Sequence, residues 1–207
     1  MPLLSYIYLL SEVAVMIVGG TLYKRLPRAL RILTGLILFN VIETAFEWLF
    51  ASFSIRNLWM SHVNTLVEFV LIMVLYSFWL RTPFIRRILP LCFIMFVSIW
   101  IVSKFTFEPF TQLDSWTATI SKFIQIFFSV VILVDVVKGV DIVWTNDHRF
   151  WVTAGIVIYS AGSMFMFALF NKMLVLSPDY LKVVWSLNWV LLILSNLLYI
   201  RGYLCKS

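Results

Sequence analysis

Charged residues are scarce in this sequence. Asp, Glu, Lys and Arg make up 13% of the 207 residues, whereas 62% are apolar; soluble domains average about 25% charged and about 45–50% apolar residues. The chain therefore has too few polar side chains to cover itself in water, and its solvent is the lipid bilayer. The short segments left between spans of about 20 residues exclude a soluble catalytic, nucleotide-binding or DNA-binding domain. The net charge of +6 indicates membrane topology rather than a nucleic-acid partner.

Cysteine and histidine are scarce as well, with two residues of each. Cys92 and Cys205 are too few for a disulfide framework or a cysteine-based zinc site. His62 and His148 fall on opposite sides of the predicted bundle, which excludes the multi-histidine centre of an intramembrane zinc hydrolase; a single-histidine site between His62 and a span glutamate is the alternative left open. No serine stands in a strained glycine turn with a histidine base. We therefore predict no enzymatic activity, no cofactor and no metal.

Seven apolar runs are long enough to cross a bilayer. Prolines and charged clusters separate them, and no basic segment or cleavage site marks the first run as a cleavable signal, so we expect it to remain as a helix. The sequence predicts an all-α, polytopic integral membrane protein in which residues 1–207 form a single seven-helix transmembrane domain. The predicted spans are Leu3–Tyr23, Arg31–Phe53, Trp59–Leu80, Ile88–Phe107, Ser115–Val137, Phe150–Leu176 and Tyr180–Tyr203.

Basic residues are distributed unevenly over the predicted loops. Eleven of the sixteen lie in the first, third and fifth loops and the C-terminal tail, four belong to the opposite face, and Lys122 lies within a span. Basic loops stay in the cytoplasm. We therefore predict that the N-terminus faces outside and the C-terminus faces the cytoplasm of a bacterial-type inner membrane. The eleven are Lys24, Arg25, Arg28, Arg31, Arg81, Arg86, Arg87, Lys138, Arg149, Arg201 and Lys206.

Ionisable side chains inside the spans are the most informative feature, because each costs at least ~2.5–3.5 kcal/mol at the bilayer centre. Residues three, four or seven apart share one face of a helix, and lipid offers polar groups no partner, so each polar stripe should face the bundle interior. Glu12 stands alone on the first helix, with no stripe to give its direction. The stripes are Asn40-Glu43-Glu47, Ser61-Asn64-Glu68 and Lys122-Gln125-Ser129.

The predicted topology brings these stripes to one depth, in the outer half of the membrane. Three carboxylates near one ammonium leave an acidic excess, which suits a cationic ligand, a ligand with several hydrogen bonds, or a proton. The alternative is that the polar groups only hold the helices together, at roughly 0.6 kcal/mol each. We predict a ligand-binding cavity lined by Glu43, Glu47, Asn64, Glu68, Lys122 and Asn188.

Such a cavity favours a receptor- or sensor-like module that binds a small ligand, a lipid or a proton. Ligand contacts would shift the helix arrangement, and basic residues would signal to a cytoplasmic protein. The residues predicted to reach that partner are Arg81, Arg86, Arg87 and Arg149, and contact with anionic lipid is the simpler alternative for them. A small-solute transporter with three-plus-one-plus-three helices is the rival. It needs glycine or proline in mid-span, and Pro90 falls in the first turn of its predicted span. A non-catalytic accessory subunit is the third candidate.

Overall fold

Seven long helices make up the fold of this computed structural model. It describes residues 3–139, 143–173 and 178–205, and the side chains among them outside 169–181. Within these ranges there is no β-strand, so the all-α prediction is confirmed. All seven helices are long and apolar enough to cross a membrane, and the chain is a multi-pass membrane protein. The helices are α1 (Leu3–Leu22), α2 (Arg28–Ser52), α3 (Leu58–Trp79), α4 (Pro83–Thr106), α5 (Ser115–Lys138), α6 (His148–Met173) and α7 (Pro178–Leu204).

Successive helices run in opposite directions, which gives the bundle two ends. The α1 end is the one where α1, α3, α5 and α7 begin, and the α2 end is the one where α2, α4 and α6 begin. Two 3-10 turns, Tyr23–Arg25 and Trp144–Asn146, lead into α2 and α6 at the α2 end. The basic loops predict that the α1 end faces outside, and this orientation stays a prediction.

Six of the seven helices form a ring. The pairs α1–α2, α2–α3, α3–α5, α5–α6, α6–α7 and α7–α1 pack together and close it, whereas α4 packs against α3 and α5. Burial agrees with this arrangement, because 17% of the α4 span is buried inside the protein against 44% of the α5 span. Polar side chains that lipid cannot accommodate therefore have an interior to face.

An apolar core fills the ring toward the α2 end. Leu33 and Tyr76 are fully buried there. The Thr34 hydroxyl donates to the Leu30 carbonyl oxygen, so the Tyr203 hydroxyl donates to Thr34 Oγ1, over 3.0 Å. This bond joins α7 to α2 within the core.

The start of α4 differs from the predicted span. The helix begins at Pro83 rather than at Ile88. Proline suits the first helical position, because its missing N–H has no partner there and its φ is already helical. Arg86 and Arg87 consequently lie on the helix and not in a loop. Pro90 lies in the interior of α4, so the prediction that it falls in a first turn is wrong.

Candidate ligand-binding cavity

A cavity of about 310 Å³ lies inside the ring, in the half nearer the α1 end. It reaches from Ser5 and Ser61, near the starts of α1 and α3, to Ile72 and Tyr199 beside the apolar core. Side chains from α1, α2, α3, α6 and α7 line it. The carboxyl groups in its wall belong to Glu12, Glu43, Glu47 and Glu68.

Helical spacing explains why several lining residues come from the same helix. Asn40, Glu43 and Glu47 follow one another at intervals of three and four on α2, and Asn64 and Glu68 are four apart on α3. Such intervals place side chains on one face. A helix that presented this face to lipid would leave the carboxyl and amide groups without partners, so both faces turn inward.

Five of the six predicted ligand-binding residues line this one cavity. Lys122 is the sixth and stands behind Glu68, where its ammonium donates to both carboxylate oxygens over 2.5 and 2.7 Å. The same ammonium lies 4.2 Å from the centre of the Tyr159 ring. α5 thus contributes charge balance rather than cavity surface. The five are Glu43, Glu47, Asn64, Glu68 and Asn188, and their role in ligand binding stays a prediction.

The cavity has more carboxyl groups than basic partners. Glu68 is paired with Lys122, whereas no ion pair joins Glu12, Glu43 or Glu47 to a basic side chain in the described part of the chain. Glu12 is buried, whereas Glu43 and Glu47 are half-buried at the cavity surface. A carboxylate that has little access to water is stabilised by a cation beside it. The wall is therefore suited to binding positive charge.

Several buried oxygen atoms of the wall also lack a hydrogen-bond donor. The Oδ1 atoms of Asn40, Asn64 and Asn188 and the Oε2 atom of Glu12 have no partner among the described residues, and all four side chains line the cavity. The other Glu12 oxygen accepts a bond from the Tyr8 hydroxyl over 2.8 Å. Buried polar atoms are nearly always paired in folded proteins. These oxygens therefore fit a ligand that donates several hydrogen bonds.

Aromatic side chains from α1, α2, α6 and α7 supply much of the remaining wall. The face of an aromatic ring attracts a cation that lies within ~6 Å of its centre. The rings and the carboxyl groups of this cavity would both attract a cation. The aromatic lining residues are Tyr8, Trp48, Tyr159, Phe167, Trp185, Trp189 and Tyr199.

A second buried polar cluster ties α3, α4 and α5 together at the α1 end. The Lys104 ammonium donates to Nδ1 of His62 over 2.5 Å and lies 3.4 Å from Glu108 Oε2. The other ring nitrogen of His62 bonds to the Gln112 carbonyl oxygen over 2.8 Å, so both nitrogens are engaged. Glu108 accepts a further bond from the Thr117 hydroxyl over 2.5 Å. This cluster holds the α4–α5 connection in place, and His62 does not line the cavity.

Asp114 immediately precedes α5 in the same region and accepts a hydrogen bond from the Thr65 hydroxyl of α3. Burial raises the pKa of the Asp114 carboxyl above its ordinary value, although hydrogen bonds from Thr65 and Ser61 act in the opposite direction. The described residues include no group of three or more His, Cys, Asp or Glu side chains that could hold a metal ion.

The residues predicted to reach a cytoplasmic partner differ in their surroundings. Arg81, Arg86 and Arg87 are exposed at the α2 end. Arg149 instead donates to the Asp147 carboxylate, from Nη2 over 2.6 Å and from Nε over 2.9 Å. Burial alone would raise the pKa of Asp147, but hydrogen bonds and charge from Arg149 outweigh burial and lower it. Arg149 is thus engaged within the chain, and a role for the other three in partner binding stays a prediction.

Sequence reasoning left Glu12 without a direction, yet this side chain is 1% exposed and belongs to the cavity. It lines the cavity together with Ser5 and Tyr8. The three residues follow one another at intervals of three and four on α1, which is the pattern already recognised on α2. That stripe is the signal that could have placed Glu12.

Comparison with known proteins adds nothing to this description: no family model, no curated protein and no solved structure matches the chain. The function is therefore argued from the cavity and its surroundings.

Proposed function

We propose that the protein is a receptor- or sensor-like membrane module whose cavity binds a small organic cation. The observation that carries this proposal is the surplus of acidic groups, since Glu12, Glu43 and Glu47 line the cavity with no ion-pair partner among the described residues. A bound cation supplies the missing charge. Its N–H groups supply the donors that the unpartnered oxygens of the wall lack.

A protonated amine matches this wall better than a metal ion or a quaternary ammonium. A metal ion needs several ligand oxygens around one point, and the described acidic side chains form no such group. A quaternary ammonium has no N–H to offer to the oxygens of Asn40, Asn64 and Asn188. A primary ammonium has three donors, and the aromatic wall is attractive to any cation. The volume of about 310 Å³ lies at the lower end of ordinary ligand pockets, which favours a small amine.

The apolar core beneath the cavity favours a receptor over a transporter. Leu33 and Tyr76 are fully buried there, and the bond between Tyr203 and Thr34 ties α7 to α2 at this level. A ligand in the cavity lies above this apolar core, which closes the way to the α2 end, and it acts by changing how α2 and α7 pack. Signalling to a cytoplasmic protein would use the exposed arginines of the α2 end, in a bacterial-type inner membrane with the α1 end outside.

A transporter is the second candidate, and the position of α4 is the observation that favours it. Outside the ring, α4 links α1–α3 to α5–α7, as expected of a three-plus-one-plus-three transporter with parallel repeats. In such a protein the apolar core would open in a second conformation. A non-catalytic accessory subunit would need neither a ligand nor a moving core.

Calorimetric titration of the protein in lipid nanodiscs tests the proposal, with 1,4-diaminobutane and tetramethylammonium as probes. We expect the diamine to bind to wild type. Glu43→Gln and Glu47→Gln should each lower the affinity for the diamine about tenfold or more, because each removes one charge-assisted hydrogen bond. Tetramethylammonium should bind more weakly than the diamine. Asp135→Asn is the matched control, since Asp135 lies near the α2 end of α5, and it should leave binding unchanged. Equal diamine binding by all four proteins would contradict an acidic amine site.

Uptake of the same diamine into proteoliposomes separates the candidates. If the protein is a receptor, we expect no uptake above that of empty liposomes. We also expect it to capture a cytoplasmic protein when the ligand is bound. Replacing Arg86 and Arg87 with Gln should weaken that capture. Uptake that Glu43→Gln abolishes would make the protein a transporter. Absence of binding, uptake and partner would favour the accessory subunit.

A further inference from the structure

An apolar groove lies between α6 and α7 on the outside of the ring. Its volume is about 310 Å³, and its side chains are strongly exposed at Phe165 (66%) and Leu187 (60%), so that in a membrane it opens toward the hydrocarbon. The residues that line it are Gly162, Phe165, Met166, Val184, Leu187, Asn188, Val190 and Leu191.

Asn188 lies on the border between this groove and the cavity, because it lines both. On α7, Trp185 and Trp189 face the cavity, whereas Val184 and Leu187 face the groove. Asn188 is 6% exposed, and its Oδ1 atom has no donor in the described part of the chain. A single amide side chain thus lies where the polar cavity and the lipid-facing groove meet.

We infer that the ligand is an amphiphilic amine, held with its ammonium in the cavity and its hydrocarbon chain in the groove between α6 and α7. This inference rests on the proposed function, since it takes the amine site as given and specifies what is attached to it. The cavity wall mixes apolar and aromatic side chains with carboxyl and amide groups, and its volume of about 310 Å³ suits a small amine. In the groove a long alkyl chain lies against Phe165, Leu187 and Leu191 and the surrounding lipid. In this arrangement the Asn188 side chain rotates to let the alkyl chain pass, and its Oδ1 atom accepts a hydrogen bond from the ammonium.

The arrangement also gives such a ligand a route. An amphiphile concentrates in the membrane before it reaches any protein, with its charged group at the interface and its tail in the hydrocarbon. Lateral entry between α6 and α7 keeps the tail in apolar surroundings throughout. Entry from the α1 end would require the tail to pass the carboxyl and amide groups that line the cavity.

Displacement of radiolabelled butylamine by dodecylamine tests the inference, with the full chain in nanodiscs and empty nanodiscs to correct for partition. Val184→Trp fills the groove, and Val183→Trp is the matched control, because Val183 is 58% exposed and does not line the groove. Wild type and Val183→Trp should bind both amines. Val184→Trp should bind butylamine as tightly as wild type does, but its affinity for dodecylamine should be lower than that of wild type by about tenfold or more.

Each other outcome decides against the inference. Dodecylamine that fails to displace butylamine from the wild type, or that binds Val184→Trp and Val183→Trp equally well, would show that the groove holds only bulk lipid, while the amine site itself stands. Butylamine that does not bind the wild type would overturn the proposed function and this inference together. If Val184→Trp no longer binds butylamine either, Leu187→Trp replaces it, because this residue fills the same groove from an exposed position. Its affinities for butylamine and dodecylamine are then compared with those of Val183→Trp in the same way.

Discussion

The ion pair between Glu68 and Lys122 separates one cavity carboxyl group from the other three. The Lys122 side chain is 3% exposed and belongs to α5, whereas Glu68 reaches the cavity from α3. Because Lys122 donates to both Glu68 oxygens, this carboxylate has its charge partner inside the protein. Glu12, Glu43 and Glu47 remain the groups that a cationic ligand would satisfy.

Removing one partner of this pair should destabilise the fold more than removing both. Lys122→Met leaves a buried carboxylate without a partner, which costs about 3–5 kcal/mol in comparable sites. The double variant Glu68→Gln/Lys122→Met leaves no buried charge and should recover most of that loss. Thermal unfolding in one detergent measures both. If the double variant is as unstable as Lys122→Met, the unpaired charge of Glu68 is not the cause of the lost stability, and this account of the ion pair is wrong.

The Asp147–Arg149 pair should make stability depend on pH at the α2 end. The pKa of Asp147 lies below its ordinary value of 3.8 in the folded chain, so its contribution is fully present above that value and is lost as the pH falls through the lower, folded-state pKa. Asp147→Asn should therefore lower the melting temperature at neutral pH and have less effect in strong acid. Melting curves from neutral pH down to about pH 2 measure the difference, and a difference that grows on acidification would contradict this sign.

Single residues were predictable where the cost of burial in lipid was decisive. Glu43, Glu47 and Glu68 could be placed in the interior because a membrane leaves a carboxyl group no other direction. The bond between His62 and Lys104 could not be foreseen, because it depends on how the α4–α5 connection folds back onto α3.

The packing of α6 against α7 determines the wall of the cavity at the level of elements. A methyl group at Gly155 would lie 2.7 Å from Tyr199 Cε1 and 3.2 Å from the Ser195 carbonyl oxygen. The Ser195 hydroxyl in turn donates to the Gly155 carbonyl oxygen over 2.7 Å. The two helices therefore touch through their backbones here, and Tyr199 lines the cavity.

Gly155→Ala should separate these helices and weaken ligand binding with them. Overpacking of this kind costs about 1–3 kcal/mol, and displacement of Tyr199 should weaken amine binding as well. Gly20→Ala is the matched control, because nothing lies within 4 Å of the added methyl group, and alanine in a helix is more favourable than glycine by about 0.5–1 kcal/mol. Melting temperature and amine affinity measured together check both expectations. A Gly155→Ala protein as stable as wild type would contradict the close backbone contact.

Helix number was predictable from apolar runs, but helix boundaries were less so. Arg86 and Arg87 looked like a break in the chain, yet they lie near the start of α4, where long basic side chains can extend to the membrane surface. The same misassignment put Pro90 near a helix start. Charge alone does not end a helix at the interface.

The ring of six helices with α4 outside it is a property of the whole molecule that no run of residues predicts. The seven spans follow from local hydropathy, whereas the ring depends on which helices pack against each other. The apolar core that closes the cavity toward the α2 end also depends on which helices are neighbours, because a bond between Thr34 of α2 and Tyr203 of α7 lies within it.

The orientation of the whole bundle can be checked by labelling single cysteines. In a Cys92→Ser/Cys205→Ser background, Thr111→Cys lies in the exposed α4–α5 connection at the α1 end, and Thr82→Cys is exposed at the α2 end. A membrane-impermeant maleimide should label Thr111→Cys in intact cells and Thr82→Cys only after permeabilisation, because the basic loops are retained in the cytoplasm. The reverse pattern would invert the topology and place the cavity on the cytoplasmic side.

The most direct measurement of cation binding is anomalous diffraction from crystals grown with 3-iodobenzylamine. The iodine should appear inside the ring, with the ammonium within about 3 Å of the Glu43 or Glu47 carboxylate and close to Asn188. An empty cavity at saturating amine, or iodine only at lipid-facing positions outside the groove between α6 and α7, would contradict an amine site in this protein.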